Sequence, residues 1–245
     1  MNNASPLEPS LRILGIRIDN LPRERALVQL AAFAASGKPH HIVTVNPEFV
    51  VQARESPEFA RVLNGADLAL ADGAGLMLGA RLLGRRLAGR IPGVDLMEDL
   101  AAHAAGAGQG MFLLGGGEGV AAAAAAALRR RHPGLIVAGT WAGSPSPSEE
   151  REIIERVTSS RPHYLFVAFG SPQQDLWIHR HLQRLRVPVC LGVGGAFDFL
   201  SGRVPRAPRW MRSTGLEWAY RLGREPWRWR RMLRLPRFLL LVVRQ

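Results

Sequence analysis

The chain of 245 residues has one cysteine and one lysine, and no uninterrupted run of about 20 apolar residues. Cys190 lies in the apolar run Val-Pro-Val-Cys-Leu at 187–191, which reads as core. A lone core cysteine excludes a disulfide framework and a thiolate metal centre, and it fits a reducing compartment. Residues 1–10 lack a basic segment followed by an apolar run, so a cytoplasmic protein is expected. There is no nucleophile elbow, no Walker loop, no His-Glu-x-x-His and no Asp-x-Asp. His179 and His181, two apart on an expected helix, point to different faces and make a poor metal pair. The glycine run 115–119 has Val120 where a dinucleotide fingerprint needs a small residue, and Thr140 and Trp141 where it needs an acid. Nicotinamide chemistry is therefore disfavoured.

What is present is a globular composition, 47% hydrophobic and 21% charged, whose only low-complexity run is the alanine stretch 121–127. The net charge of +12 is unevenly placed. Residues 201–245 hold 12 arginines against Glu217 and Glu225, whereas residues 1–200 are nearly neutral. Because Lys38 is the sole lysine, a general preference for arginine explains the residue type. It does not explain the clustering.

Apolar periodicity predicts a strand over 11–19 and a helix over 22–36 closed by Gly37. Further strands are expected over 40–46, 67–71, 110–114, 135–138, 164–169 and 188–193. Helices are expected between them over 48–53, 57–64, 74–83, 94–105, 120–131, 149–159 and 173–184. Such alternation predicts a doubly wound, mainly parallel, Rossmann-like α/β sheet. The pattern changes after Gly202. The domain reading is thus an α/β core over 1–202 and a basic, Trp- and Leu-rich helical appendage over 203–245.

Three expected strands end in glycine loops: Asp72-Gly73-Ala74-Gly75, the run 115–119, and Gly192-Val193-Gly194-Gly195. Each can turn backbone N–H groups toward phosphate oxygens, which suggests a nucleotide or sugar-nucleotide ligand. Asp72 is the chemical centre of this reading, since a carboxylate just past a strand end lies where open α/β sheets bind ligands. A turn-forming or capping Asp is the plainer alternative. In the appendage, Trp210, Trp218, Tyr220, Trp227 and Trp229 alternate with arginines and precede the run Phe-Leu-Leu-Leu-Val-Val at 238–243. This composition suits an anionic membrane surface, with interfacial aromatics and apolar side chains beside cationic ones. Nucleic acid is the rival partner, which the terminal apolar run disfavours.

These residues together resemble the WecG/TagA/CpsF family of bacterial glycosyltransferases from about residue 12 to 235. The motifs are Thr44-Val-Asn46-Pro47, Ala71-Asp72-Gly73-x-Gly75, Arg90-Ile-Pro-Gly-Val-Asp95 and Gly170-Ser-Pro-Gln-Gln174-Asp175, then Gly194-Gly195-Ala-Phe-Asp198-Phe-Leu-x-Gly202. Arg206-Ala-Pro208, Gly215-Leu-Glu-Trp-x-Tyr-Arg221 and Glu225-Pro226 complete the set. Gln173 and Asp175 depart from the Lys and Glu usual in the family. The resemblance implies inverting, metal-independent transfer of an N-acetylmannosamine-type sugar from a UDP-sugar to a polyprenyl-diphosphate-linked sugar at the inner membrane face, with no cofactor. It further implies that Asp72 is the general base and that Thr44 orients the acceptor or that carboxylate. Asn46, Arg90, Gln174 and Asp198 match donor-site positions, with Asp198 facing uracil. Gly194 and Gly195 belong to the donor loop, and Arg221, Arg228 and Arg231 are candidates to meet the diphosphate. A non-catalytic UDP-sugar or polyprenyl-phosphate binding protein is the main alternative, with a basic-tailed nucleic-acid binder behind it. Self-association through an apolar surface uncovered by the tail is also compatible with the sequence.

Overall fold

The computed structural model describes residues 10–224, 226, 229 and 233–245; of Arg209, Ser213 and Arg221 only the backbone is described. The chain opens with strands β1 (Leu11–Ile13) and β2 (Ile16–Ile18), then α1 (Arg23–Ser36), β3 (His40–Val45), α2 (Pro47–Glu55), α3 (Pro57–Gly65), β4 (Leu68–Ala71) and α4 (Ala74–Leu82). It continues through α5 (Gly93–Ala107), β5 (Gly110–Gly115), α6 (Val120–Arg131), β6 (Ile136–Trp141), α7 (Glu150–Ser160), β7 (Tyr164–Ala168), α8 (Gln173–Leu185) and β8 (Val189–Gly192). Short helices α9 (Ala196–Leu200), α10 (Arg209–Thr214) and α11 (Glu217–Arg224) lead to α12 (Arg234–Val243).

Six strands form one sheet in the order β4-β3-β8-β7-β5-β6, and all pairs are parallel. The doubly wound reading of the sequence is therefore the fold. Local signals explain the element ends. Asn46 and Ser56 cap α2 and α3 by accepting from Phe49 N–H and Phe59 N–H, each followed by a proline in the first turn. Gly37 and Gly108 end α1 and α5 in the left-handed conformation.

Alternation along the strands assigns the two faces. Ile42, Leu70, Leu113, Phe166 and Leu191 pack with α1, α5, α6 and α9. On the other face, Val43, Val45, Ala69 and Ala71 meet the β1–β2 hairpin, α2, α3, α4 and α12. Phe112, Leu114, Leu165, Val167 and Cys190 meet α7 and α8 on that same side.

Three segments differ from the sequence expectation, the short helix α9 being one that no expected element covers. The stretch 11–19 is a two-stranded antiparallel hairpin, because Leu14 and Gly15 both take positive φ (51° and 83°) and reverse the chain. The continuing apolar alternation concealed that turn. The remaining difference is β6, which runs three residues beyond 138 to Trp141.

The last helix returns to the body. Phe238 is fully buried and Val242 nearly so within the cluster formed by α2 and α4. Arg234 pairs with Glu48, and Arg237 with Glu55, on α2. On α4, Gly75 and Gly79 lie one turn apart, and a Cβ at either would collide with Leu235 or Phe238. Only bare backbone lets α12 approach so closely. Among the described residues no helix is long and apolar enough to cross a membrane.

Truncating Phe238 tests this docking. Phe238→Ala should cost about 3 kcal/mol of the stability of this packing. Trypsin should then cut faster after Arg234 and Arg237 while the sheet stays protected; unchanged cleavage would show that α12 is held by other contacts.

Candidate active site

The site is built at the carboxyl ends of β3, β4, β7 and β8. Register places Thr44 beside Leu70 and Val45 beside Ala71. Past the strand end, the Asp72 N–H donates to the Val45 carbonyl (2.7 Å), and Ile91 N–H donates to the Ala71 carbonyl (2.7 Å). The ladder thus extends one residue beyond β4 and fixes the Asp72 backbone. Gly73 follows at φ 89°, which favours glycine, and α4 starts at Ala74.

Two adjoining cavities meet at Asn46, Asp72 and Phe199. The larger, about 290 Å³, is walled by Pro47, Gly75, Arg90, Glu217, Trp218, Arg234 and Leu235. Its mixture of apolar walls, cations and the acids Glu48, Asp72 and Glu217 suits an amphipathic ligand. The smaller, about 190 Å³, is bounded by Thr44, Gln174 and the turns carrying Gly170, Gly194 and Gly195. Gly93 and Val94 from the first turn of α5 also line it, so positive helix ends and backbone N–H groups stand in for charged side chains.

Asp72 is partly buried, and its carboxyl is pushed up to about 7. Desolvation is the chief cause, Glu217 and Asp95 add to it, and Arg90 together with a Gly73 backbone hydrogen bond oppose it. A carboxyl balanced near neutrality can take a proton and release it under physiological conditions. Asn46 lines both cavities, and its Oδ1 accepts from the Phe49 N–H. Gln174 is buried, and its Oε1 accepts from Gly194 N–H (2.9 Å), which clamps the β8 loop to α8.

Beneath Gln174, His41 and Asp175 form a buried pair with Nε2 to Oδ1 at 3.5 Å. Among the described residues neither side chain has a hydrogen-bond partner, so this contact is their only polar one. Removing one partner of a buried polar pair leaves the other without compensation, which is costly.

The structure brings Asp72, Thr44, Asn46, Gln174, Gly194 and Gly195 around the smaller cavity, and Arg90 beside Asp72 in the larger. Asp198, on α9, lines neither, although its neighbour Phe199 lines both. Arg90 donates through Nη2 to the Arg212 carbonyl, so it ties α10 to the site. Arg228 and Arg231, and the side chain of Arg221, lie outside the described residues. Sequence reasoning missed Glu217, Phe199 and Leu235 as walls of the site. Glu217 also binds Arg206 (3.4 Å), which in turn pairs with Asp95 of α5. Among the described residues, no three His, Cys, Asp or Glu side chains converge as a metal cluster would.

A doubly wound parallel sheet with two adjoining cavities at its carboxyl edge defines a Rossmann-like α/β protein. The profile of the Glycosyl transferase WecG/TagA/CpsF family matches residues 11–245. The chain belongs to that family of glycosyltransferases. A Bacillus spizizenii protein named N-acetylglucosaminyldiphosphoundecaprenol N-acetyl-beta-D-mannosaminyltransferase is 37% identical over 203 residues, covering 83% of this chain and 78% of its own. Proteins of the same name from Bacillus subtilis and Staphylococcus aureus strain MW2 are 35% identical over 205 residues and 32% identical over 225. They cover 83% and 91% of this chain, and 79% and 87% of their own lengths.

Two stability tests follow from the electrostatics. Because folding raises the Asp72 pKa, its carboxylate costs nothing below pH ~4 and most above pH ~7. Asp72→Asn should therefore raise the melting temperature at pH 8 and change it little at pH 4. His41→Ala, which leaves the buried Asp175 side chain without its partner, should lower stability by about 3 kcal/mol in urea unfolding, and adding Asp175→Asn should restore part of the loss.

Proposed function

We propose that the protein is an inverting glycosyltransferase that moves an N-acetylmannosamine-type unit from a UDP-sugar to a polyprenyl-diphosphate-linked GlcNAc acceptor. The observation that carries this reading is one carboxylate, Asp72, at the junction of two cavities and with a pKa near 7. The relatives' names supply the sugar and the lipid-linked acceptor. The donor occupies the smaller cavity, where Asn46, Gln174 and the backbone of Gly194 and Gly195 hold it. The amphipathic acceptor enters the larger one.

In the reaction, an acceptor hydroxyl oxygen attacks the anomeric carbon from the face opposite UDP. The new C–O bond forms as the bond to the UDP phosphate oxygen breaks, the electron pair leaves with UDP, and Asp72 takes the hydroxyl proton. Thr44 orients the acceptor or the Asp72 carboxylate. Asp198 serves the uracil end of the donor if the bound nucleotide extends toward α9. Charge on the leaving diphosphate falls to helix ends and to arginines, with Arg90 in the cavity and Arg221, Arg228 and Arg231 from the appendage as candidates. The chemistry needs no metal in this scheme. The basic, aromatic appendage holds the enzyme peripherally on an anionic membrane, where the acceptor resides.

UDP release by the full-length chain, with UDP-sugars, a short-chain polyprenyl-diphosphate-GlcNAc and EDTA, tests the reading. Turnover should require both substrates, survive EDTA and fall at least ~100-fold in Asp72→Asn. Since the carboxylate is the working form, kcat/KM should fall about tenfold per pH unit below pH ~7. Glu217→Gln, which removes a charge that raises the Asp72 pKa, should move that acid limb to lower pH. UDP binding without turnover of any lipid acceptor would instead mark a binding protein.

A further inference from the structure

The apolar and basic surface extends beyond the appendage onto the α/β core. Helix α4 leaves the Asp72 loop and runs alongside α12 in the same direction, Gly75 against Leu235 and Gly79 against Phe238. Helical spacing places Leu78 and Leu82 on the outer flank of that seam, and both are exposed (44% and 50%). Across the seam, Leu240 and Val243 of α12 are exposed as well (51% and 69%). Large aliphatic side chains gathered on one face mark an interaction surface more than scattered ones do.

The segments that form this face carry charge of one sign. Residues 74–90 and 233–245 contain no Asp or Glu and seven arginines. Glu48 and Glu55, on the neighbouring α2, are paired with Arg234 and Arg237. At the far end of α4, Arg81, Arg85 and Arg86 surround a surface cavity of about 580 Å³ with Met77 and Leu87. No carboxylate pairs with these three guanidinium groups among the described residues. Asn20 pins the loop that carries two of them, donating to the Arg86 carbonyl and accepting from Ala88 N–H. The arginines are thus held on a fixed platform beside exposed leucines.

We propose that the α4 face of the core, with Arg81, Arg85 and Arg86 receiving lipid phosphates and Leu78 and Leu82 entering the apolar layer, is a docking surface for an anionic bilayer. The appendage shares this surface through Leu240 and Val243. Arginines beside aliphatic side chains, with no acid in residues 74–90 or 233–245, complement phosphodiester headgroups above acyl chains. The other ends of α4 and α12 supply Gly75 and Leu235 to the larger cavity. One pair of helices therefore joins the bilayer contact to the acceptor chamber, so a lipid-linked sugar reaches Asp72 without its chain leaving the membrane. This inference rests on the membrane-associated transferase reading above.

Co-sedimentation with phosphatidylcholine vesicles, with and without phosphatidylglycerol, tests it on the full chain. The Arg81→Gln, Arg85→Gln, Arg86→Gln variant should bind anionic vesicles at least ~10-fold more weakly at low salt. A charge-matched control with Arg25→Gln, Arg129→Gln and Arg130→Gln, on α1 and α6 across the sheet, should bind nearly as the unaltered protein does. Leu78→Ser with Leu82→Ser should weaken binding while leaving its salt dependence. Turnover of a short-chain, vesicle-free acceptor should be unchanged in all three variants, which shows the fold and site intact. Equal binding by the triple variant and its control overturns the inference and leaves docking to the appendage alone. Failure of the unaltered protein to bind any vesicle overturns the membrane reading as well. Loss of oligonucleotide binding, or of a dimer in sedimentation velocity, with vesicle binding unaltered in these variants, overturns it in favour of those partners.

Discussion

The hydrogen bond from the Asp72 N–H to the Val45 carbonyl is the constraint from which the rest of the site follows. It carries the β3–β4 ladder past the end of β4 and leaves a carboxylate on a backbone that cannot relax away from its surroundings. Those surroundings are partly dry, and the Asp72 pKa rises as a result. A more mobile Asp would turn toward water and ionise normally. Rigidity and the raised proton affinity therefore have the same origin, namely one extra rung of a parallel sheet followed by a glycine with positive φ.

Around that fixed point the cavity walls come from distant stretches of the chain. Asn46 caps α2 and Gln174 opens α8 at the carboxyl edge of the sheet, while Arg90 lies in the loop after α4, Glu217 on α11 and Leu235 on α12. Arg206 bridges Asp95 and Glu217, and Arg90 holds the carbonyl end of α10, so the segments after residue 202 are tied to the core by charge as well as by packing. The compositional boundary near 203 is therefore also a place where the chain turns back to complete the larger cavity. Glu217 shows the consequence, because an acid about 145 positions from Asp72 helps set its proton affinity.

Much of the fold was legible because it is encoded locally. Asn46-Pro47 and Ser56-Pro57 announce helix starts through capping chemistry, and Gly37 announces an end. Asp72 was legible as well, because a carboxylate between an apolar strand and a glycine turn has few places to sit in a parallel sheet. The hairpin at Leu14-Gly15 was hidden, since a turn that preserves apolar alternation leaves the period-2 pattern intact. By sequence Gly75 fits a phosphate loop, yet its missing side chain makes room for Leu235. Both functions require a glycine, and sequence alone does not separate them. Phe199 and Glu217 sat within recognisable motifs, but no spacing rule says which way an aromatic ring or an acid on a short helix will point.

By itself, then, the sequence determined the alternation of strands and helices, the parallel doubly wound sheet, the carboxylate at its edge and the concentration of positive charge after residue 202. These properties rest on interactions among residues a few positions apart, or on composition. Only the tertiary structure decided that two cavities share Asp72, that its pKa rises to about 7, that His41 and Asp175 are sealed beneath Gln174, and that α12 lies on the glycines of α4. Desolvation, charge coupling and close packing depend on distances between residues far apart in the chain, which exist only once the layers have closed around the sheet.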